Sequence, residues 1–315
     1  MKKLLKALIV LLLINLFACN TNKEENKEEE IKDDKLTIVT TIFPIYDWTK
    51  EIIKGNEDIE LIYLLDNGLD LHNYQASAQD IIKINNCDLF IYVGGESDEW
   101  VEDVLNNSDI KKLNLIELLV DNTLLEEHKE GMQVDEHEEE EIDEHIYLSI
   151  KNAIKAISFI NDNICLIDAE NIELYNTNTT NYINSLKRLD NQYQNTIDNS
   201  LNKTLIFADR FPFRYLIEDY NLDYYAAFNG CSAETEASFE TIKFLTEKLN
   251  ELSLNYLLVL ENSDQKIAKT IIENSNIEDC LIEELNSMQS IDINDNKTYL
   301  SIMKDNMEIL KKVLN

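Results

Sequence analysis

The sequence is short of basic side chains. It carries 28 Lys and Arg against 61 Asp and Glu, a formal charge of −33. That balance excludes nucleic acid as a partner, because phosphate binding needs clustered Lys and Arg. Glycine and proline are also scarce, six and two in 315 residues, which favours regular structure over long irregular loops. There is no HExxH, so the chain lacks the usual mark of a zinc hydrolase and is not read as an enzyme. No CxxC pair occurs among the five cysteines. The apolar run Leu8–Leu13 near the start is too short for an ordinary membrane-spanning helix. Histidine is rare too: there are four, and three of them (His128, His137 and His145) fall in one stretch.

That stretch, EEHKEGMQVDEHEEEEIDEHIYL over residues 126–148, organises the rest. Twelve Asp or Glu residues lie from Asp121 to Glu144, against a single Lys129. It has no apolar periodicity and is expected to be a solvated, mobile loop whose residues 122–141 can be removed without harm to folding. Carboxylates and imidazoles hold divalent cations, and imidazole suits zinc, copper, iron and nickel. An acidic surface loop with histidines in it by chance is the plainer reading of the stretch alone. The fourth histidine, His72, shifts the balance.

With 315 residues and 44% apolar content, the chain has material for one large domain or two of ordinary size. Lys2, Lys3 and Lys6 precede the apolar run, and small residues follow at Ala18-Cys19. A basic region, a short apolar run and a small-residue site describe a secretory signal over 1–18. Residues 20–35 carry almost no apolar side chain and read as a flexible tether. Cys87, Cys165, Cys231 and Cys280 are then an even set. Disulfides and buried free thiols are both open to them.

From Leu36 onward strands alternate with helices. LTIVTTI (36–42), IELIYLL (59–65) and DLFIYVG (88–94) read as buried strands. Pro44 opens a helix with Ile45, Trp48 and Ile52 on one face, and Ser77 with Asp80 caps another. Residues 170–201 form one long amphipathic stretch with Tyr182, Leu186, Leu189, Tyr193, Ile197 and Leu201 three or four apart, weakened at NTNTTN (176–181). The alternation restarts at KTLIFAD (203–209) and ends in a helix from about 298. The expected fold is α/β: two Rossmann-like lobes with parallel sheets, joined by a linker helix, with a cleft between them. The N-terminal lobe spans 36–168 and includes the loop 121–145; the linker helix spans 169–202; the C-terminal lobe spans 203–315. His72, Asp209 and Glu261 all follow or end strands, where such a cleft collects side chains.

Several ordered stretches resemble one family, the metal-specific substrate-binding lipoproteins of bacterial ABC importers, zinc and manganese branch. LFAC resembles a lipobox, which implies a lipid on Cys19. TTIFPIYDWTKEI resembles the family's first strand and helix. GLDLHNYQAS resembles G-x-[DE]-x-H-x-[YF]-[EQ]-x-[ST] and places His72 on the first metal-ligand histidine. IYVGGESDEWVED resembles the next segment, DEHIYLSIKNA places His145 on the second ligand, and GCSAETEASFETI resembles a loop of lobe two. The chain departs from the family in three places. Ala208, with Asp209 beside it, stands where His or Glu is usual. Asn286, Ser287 and Gln289 stand where an acid or histidine is usual, and Ser149-Ile150 replaces Asp-Pro.

The resemblance implies a monomeric receptor, lipid-anchored on the extracytoplasmic face of the cell membrane, that captures Zn²⁺ and delivers it to an ABC permease. Its ligands would be His72, His145 and Asp209, with Glu261 a weaker candidate and His128 and His137 binding metal weakly in the loop. The alternatives are a Mn²⁺ receptor, which an oxygen-richer shell would suit, and an adhesin or scaffold lipoprotein with a degenerate cleft.

Overall fold

A computed structural model of the chain describes residues 35–105, 109–133, 141–230 and 236–315. The signal sequence, Cys19 with the tether up to 34, His137 and Cys231 lie outside these residues. Among the described residues no helix is long and apolar enough to cross a membrane.

Two parallel sheets carry the fold. In the first, β1 (Leu36–Thr40), β2 (Ile59–Tyr63), β3 (Leu89–Tyr92) and β4 (Lys112–Asn114) lie in the order β2-β1-β3-β4. In the second, β5 (Thr204–Phe211), β6 (Asp223–Asn229), β7 (Tyr256–Leu260) and β8 (Leu281–Leu285) repeat it as β6-β5-β7-β8. In each sheet the chain runs from the first strand to one neighbour and then crosses to the other side. Ligands bind outside the carboxyl ends of strands at such a reversal. All four residues of β3 are buried, as expected of a strand covered on both faces.

The helices follow from the sequence with few surprises. α1 (Phe43–Ile52) carries Pro44 in its first turn and buries Ile45, Trp48 and Ile52 completely. α2 (Ala78–Asn85) is closed by a reciprocal capping box between Ser77 and Asp80. α3 (Trp100–Leu105), α4 (Leu115–Leu118) and α5 (Ile150–Ile167) complete the first lobe. The long α6 (Ile172–Asp198) buries Tyr182, Leu186, Leu189, Tyr193 and Ile197. It ends before Leu201, which is 81% exposed rather than part of the apolar stripe.

The poor helix formers at 176–181 stay helical because tertiary bonds hold them. Asn178 donates to the carbonyls of Ile52 (3.0 Å) and Lys54 (2.8 Å), Thr179 donates to Asn161 (2.9 Å), and Asn176 accepts from Asn161 (2.9 Å). Lobe two adds α7 (Arg214–Tyr220), α8 (Phe239–Leu252), α9 (Lys266–Glu273) and α10 (Tyr299–Val313). One buried apolar cluster runs from Ile38 through Tyr193 to Phe207 and Leu310, so the lobes share a core across the linker helix.

The acidic stretch is not wholly solvated, contrary to the expectation from its composition. Leu125 and Ile142 form an antiparallel bridge, flanked by bonds from Glu126 N to Glu141 O and from Asp143 N to Leu124 O, both 2.9 Å. Beyond it the chain lies along β6, an edge strand, where Gln133 N donates to Ala227 O (2.9 Å). Met132 is buried, and Lys129 pairs with Asp223 while sitting over the Tyr224 ring at 4.3 Å. A Cβ on Gly131 (φ +88°) would come within 2.0 Å of Phe244. This strap covers an otherwise open sheet edge, so removal of all of 122–141 exposes it. Cys87, Cys165 and Cys280 are free thiols.

A buried carboxylate joins the elements on the far side. Asp47 of α1 accepts from Tyr299 N (2.9 Å) at the start of α10 and from the Tyr182 hydroxyl (3.3 Å) of α6. Burial pushes its pKa up to about 6, with Glu51 adding to the rise and the two hydrogen bonds opposing it. A carboxyl whose pKa is raised on folding favours the fold below its unfolded value and loses that contribution as pH rises through the folded value. Asp47→Asn keeps an acceptor for both donors and removes the charge. It is expected to raise stability near pH 7.5 by on the order of 2 kcal/mol, with the gain vanishing near pH 4, as read by thermal melts across that range.

Candidate metal centre

His72 rides on a short 3-10 turn, Leu71–Asn73, just after β2. Asp70 fixes that turn by accepting from His72 N (3.1 Å), and its other oxygen takes the Arg210 guanidinium (3.1 Å) across from lobe two. His145 begins a second 3-10 turn, His145–Leu148, and is 1% exposed. Asp143 accepts from its backbone N–H (2.8 Å), and the Tyr215 hydroxyl donates to Asp143 O (2.7 Å). The two rings come together with Nε2 atoms 3.4 Å apart.

Each ring is held from behind. Asp143 Oδ1 lies 2.9 Å from His145 Nδ1. A carboxylate only accepts, so the ring proton sits on Nδ1 and Nε2 presents a lone pair to the cleft. Ser97 Oγ lies 2.8 Å from His72 Nδ1 and holds the orientation of that ring. Ser97 is presented by the Gly94-Gly95 turn (φ +89° and +82°), where a Cβ on Gly95 would fall 2.5 Å from Glu144. Only glycine fits there. Glu144 in turn accepts from Ser97 N (2.7 Å).

The electrostatics of the two rings diverge. Burial, the facing His145 and the Arg210 guanidinium hold His72 down to about 4 against the pull of Asp70. Burial also disfavours charge on His145, but the Asp143 carboxylate outweighs it and the net direction is upward. A proton taken by the pair therefore belongs on His145, and His72 keeps its lone pair.

From lobe two, Gln289 reaches both rings. Its Nε2 lies 2.9 Å from His72 Nε2 and 2.8 Å from His145 Nε2. Glu261, just past β7, is half-buried, and its carboxylate is engaged by the 287–289 loop. It accepts from Ser287 N (2.7 Å), Ser287 Oγ (2.7 Å) and Gln289 N (3.2 Å), which clamps the loop that carries Gln289. Burial raises its pKa, and those bonds offset part of the rise.

Asp209, expected to complete the shell from lobe two, is held elsewhere. Its carboxylate accepts from Arg210 N (2.9 Å) and Leu260 N (3.3 Å). The cause is a bulge: Phe207 pairs with Ala226 but Arg210 with Phe228, so β5 carries one extra residue at this point. Arg210, not Asp209, is thereby aimed at Asp70 and His72. Among the described residues no group of three or more His, Cys, Asp or Glu side chains is gathered for a metal. His128 is exposed on the strap. A cleft of about 500 Å³ runs between Asn73 and Ser290, chain neighbours of His72 and Gln289, and is lined also by Asp209, Arg210 and Glu261. Sequence reading passed over Ser97, Asp143 and Glu144. Asp143 and Glu144 had a signal, two acids directly before His145, whereas Ser97 had none without the fold.

Two imidazoles with opposed lone pairs match what one tetrahedral ion requires. Nitrogens each 2.0–2.1 Å from zinc lie about 3.3–3.4 Å apart. Residues 38–313 match the model of the ZnuA family, zinc-uptake complex component A, periplasmic. The chain belongs to this family. Among its relatives, the zinc-binding lipoprotein AdcA of Streptococcus pneumoniae is 30% identical over 316 residues, covering 99% of this chain and 61% of that protein. The chain thus spans about three-fifths of the length of that relative. The high-affinity zinc uptake system protein ZnuA of Bacillus subtilis is 27% identical over 303 residues, covering 94% of this chain and 93% of the other. The crystal structure of the Zn(II)-bound ZnuA-like domain of S. pneumoniae AdcA superposes with a TM-score of 0.71 at 26% identity, over 89% of this chain and 99% of that one. In this ZnuA-family chain the two lobes, the parallel sheets and the helical linker are those of the structural neighbour.

Gly230 packs on the site: a Cβ there would meet His145 Cε1 at 3.0 Å and Phe211 O at 3.0 Å. Gly230→Ala is expected to push the His145 ring by a few tenths of an ångström and weaken metal binding about tenfold, measured by competition with a chelating dye. His128→Ala is the control and stays within about twofold, in keeping with an exposed position on the strap.

Proposed function

We propose that the chain is the extracytoplasmic receptor of a zinc importer, which captures Zn²⁺ between His72 and His145 and hands it to an ABC permease. The observation that carries this reading is the 3.4 Å approach of two Nε2 atoms whose opposite nitrogens are held by Asp143 and Ser97. Rings fixed from behind hold their lone pairs at the ligand spacing before the ion arrives, which limits the ordering cost of binding. Two imidazoles favour zinc over Mn²⁺, and the relatives named above are zinc proteins. Asp209 is left out of the ligand set, because its carboxylate is engaged by the backbone of β5 and β7.

The receptor assigns no reaction to this site; it binds and releases. A shared core across α6 keeps the cleft shaped between capture and release. The carboxylates of the acidic loop gather cations by their field, and His128 and His137 bind them weakly. Lipid on Cys19 tethers the receptor to the membrane, where it works as a monomer beside the permease. The carboxylates and scarce Lys and Arg give it the sign of charge that draws divalent cations.

Calorimetry on metal-stripped protein tests the reading. His72→Ala and His145→Ala are each expected to lose the tight zinc equivalent, about 100-fold or more in affinity, with melts showing an intact fold. His128→Ala and His137→Ala should remove only weak equivalents. A tight equivalent that survives His145→Ala would overturn the receptor reading.

A further inference from the structure

Gln289 is 5% exposed, and its amide nitrogen is within 2.9 Å of both imidazole Nε2 atoms. In the neutral His145 ring Asp143 claims the Nδ1 proton, so Nε2 accepts and the atom that meets it is a donor. This orients the carboxamide: its two N–H protons go one to each ring. A divalent cation needs the same two lone pairs. Amide and cation are therefore exclusive occupants of one place, and the amide satisfies there what would otherwise be two buried acceptors facing each other at 3.4 Å.

The loop that carries Gln289 is built for this. Glu261 clamps the backbone on both sides of Met288, a non-glycine residue at φ +61°. The backbone is thus fixed, and the freedom that remains is in the Gln289 side chain. Its Oε1 lies 2.9 Å from Ser287 Oγ, but that hydroxyl also lies 2.7 Å from Glu261 Oε1. The hydroxyl has one proton for two acceptors, and the carboxylate is the stronger. Oε1 is accordingly the lightly held end of the amide.

Resting on the zinc-receptor reading, we propose that the Gln289 carboxamide stands in for the cation between His72 and His145, and that its Oε1 replaces its N–H₂ there when metal enters, which sets the metal preference of the cleft. Capture then exchanges two N–H···N bonds for two metal–nitrogen bonds and one neutral oxygen contact. The protein donors add no charge to the ion. Manganese, which favours carboxylate oxygens, gains least from such a set. Glu261 is a positioning residue for the amide, not a ligand.

Two measurements test this on the full chain. In ¹⁵N-labelled, metal-stripped protein, the Gln289 amide pair, identified by its absence from Gln289→Glu, is expected to show through-hydrogen-bond coupling to two imidazole nitrogens. One equivalent of zinc should abolish it. In competition titrations with zinc and manganese alone, Gln289→Glu is expected to lower the zinc-over-manganese preference at least about tenfold, because it brings an anionic oxygen, while Gln289→Ala leaves manganese without that gain. An amide pair uncoupled to either ring, or coupled equally with and without zinc, overturns the stand-in. An unchanged preference in Gln289→Glu overturns its role in selection. If these fail while zinc still binds and His145→Ala abolishes binding, the receptor reading stands. Wild-type protein that takes up no zinc overturns both.

Discussion

Two buried lone pairs that face each other across 3.4 Å are the constraint on which the molecule turns. Neither imidazole can turn away, because Asp143 and Ser97 hold the far nitrogens. Leaving two acceptors opposed in a dry site is costly, so something that donates or coordinates has to lie between them. Much of the surrounding structure serves that geometry. The Gly94-Gly95 turn brings Ser97 into reach, Asp70 fixes the turn under His72, and Tyr215 steadies the segment that carries His145.

The lobes meet around this pair through specific contacts. Arg210 of lobe two holds Asp70 of lobe one, Ile293 N donates to Asp66 O, and Asn67 bridges to Asp292. On the opposite side, Asp47 ties α1, α6 and α10 together, and the Trp48 ring meets Tyr299 edge-on at 5.1 Å. With an apolar core continuous across the linker, the arrangement is that of a stiff clasp. Local side-chain exchange at the mouth asks far less of such a body than wide opening of the lobes.

Regular elements were legible in the sequence because their signals are local. Pro44, the Ser77–Asp80 box and β-branched strands act within a few residues of themselves. His72 and His145 were legible through their motifs. What the sequence did not reveal was non-local. Asp209 reads as the strand-end carboxylate of choice, but an extra residue in β5 turns Arg210 to the site instead, and nothing in KTLIFADRF announces a bulge. Glu261 reads as a weaker ligand candidate at a strand end, whereas its carboxylate clamps the 287–289 loop. The acidic strap reads as unstructured because its partners, β6 and Phe244, lie about a hundred residues away. Leu201 fits the helical period but falls past the end of the helix.

The account stands on one claim, that the ion sits between these two rings. X-ray absorption at the zinc edge on protein loaded with one equivalent reads it most directly. The prediction is a shell of light N/O donors at about 2.0–2.1 Å with the multiple-scattering signature of two imidazoles, reduced to one in His72→Ala loaded at high zinc. A sulfur shell, or a two-imidazole signature untouched by loss of His72, would contradict it.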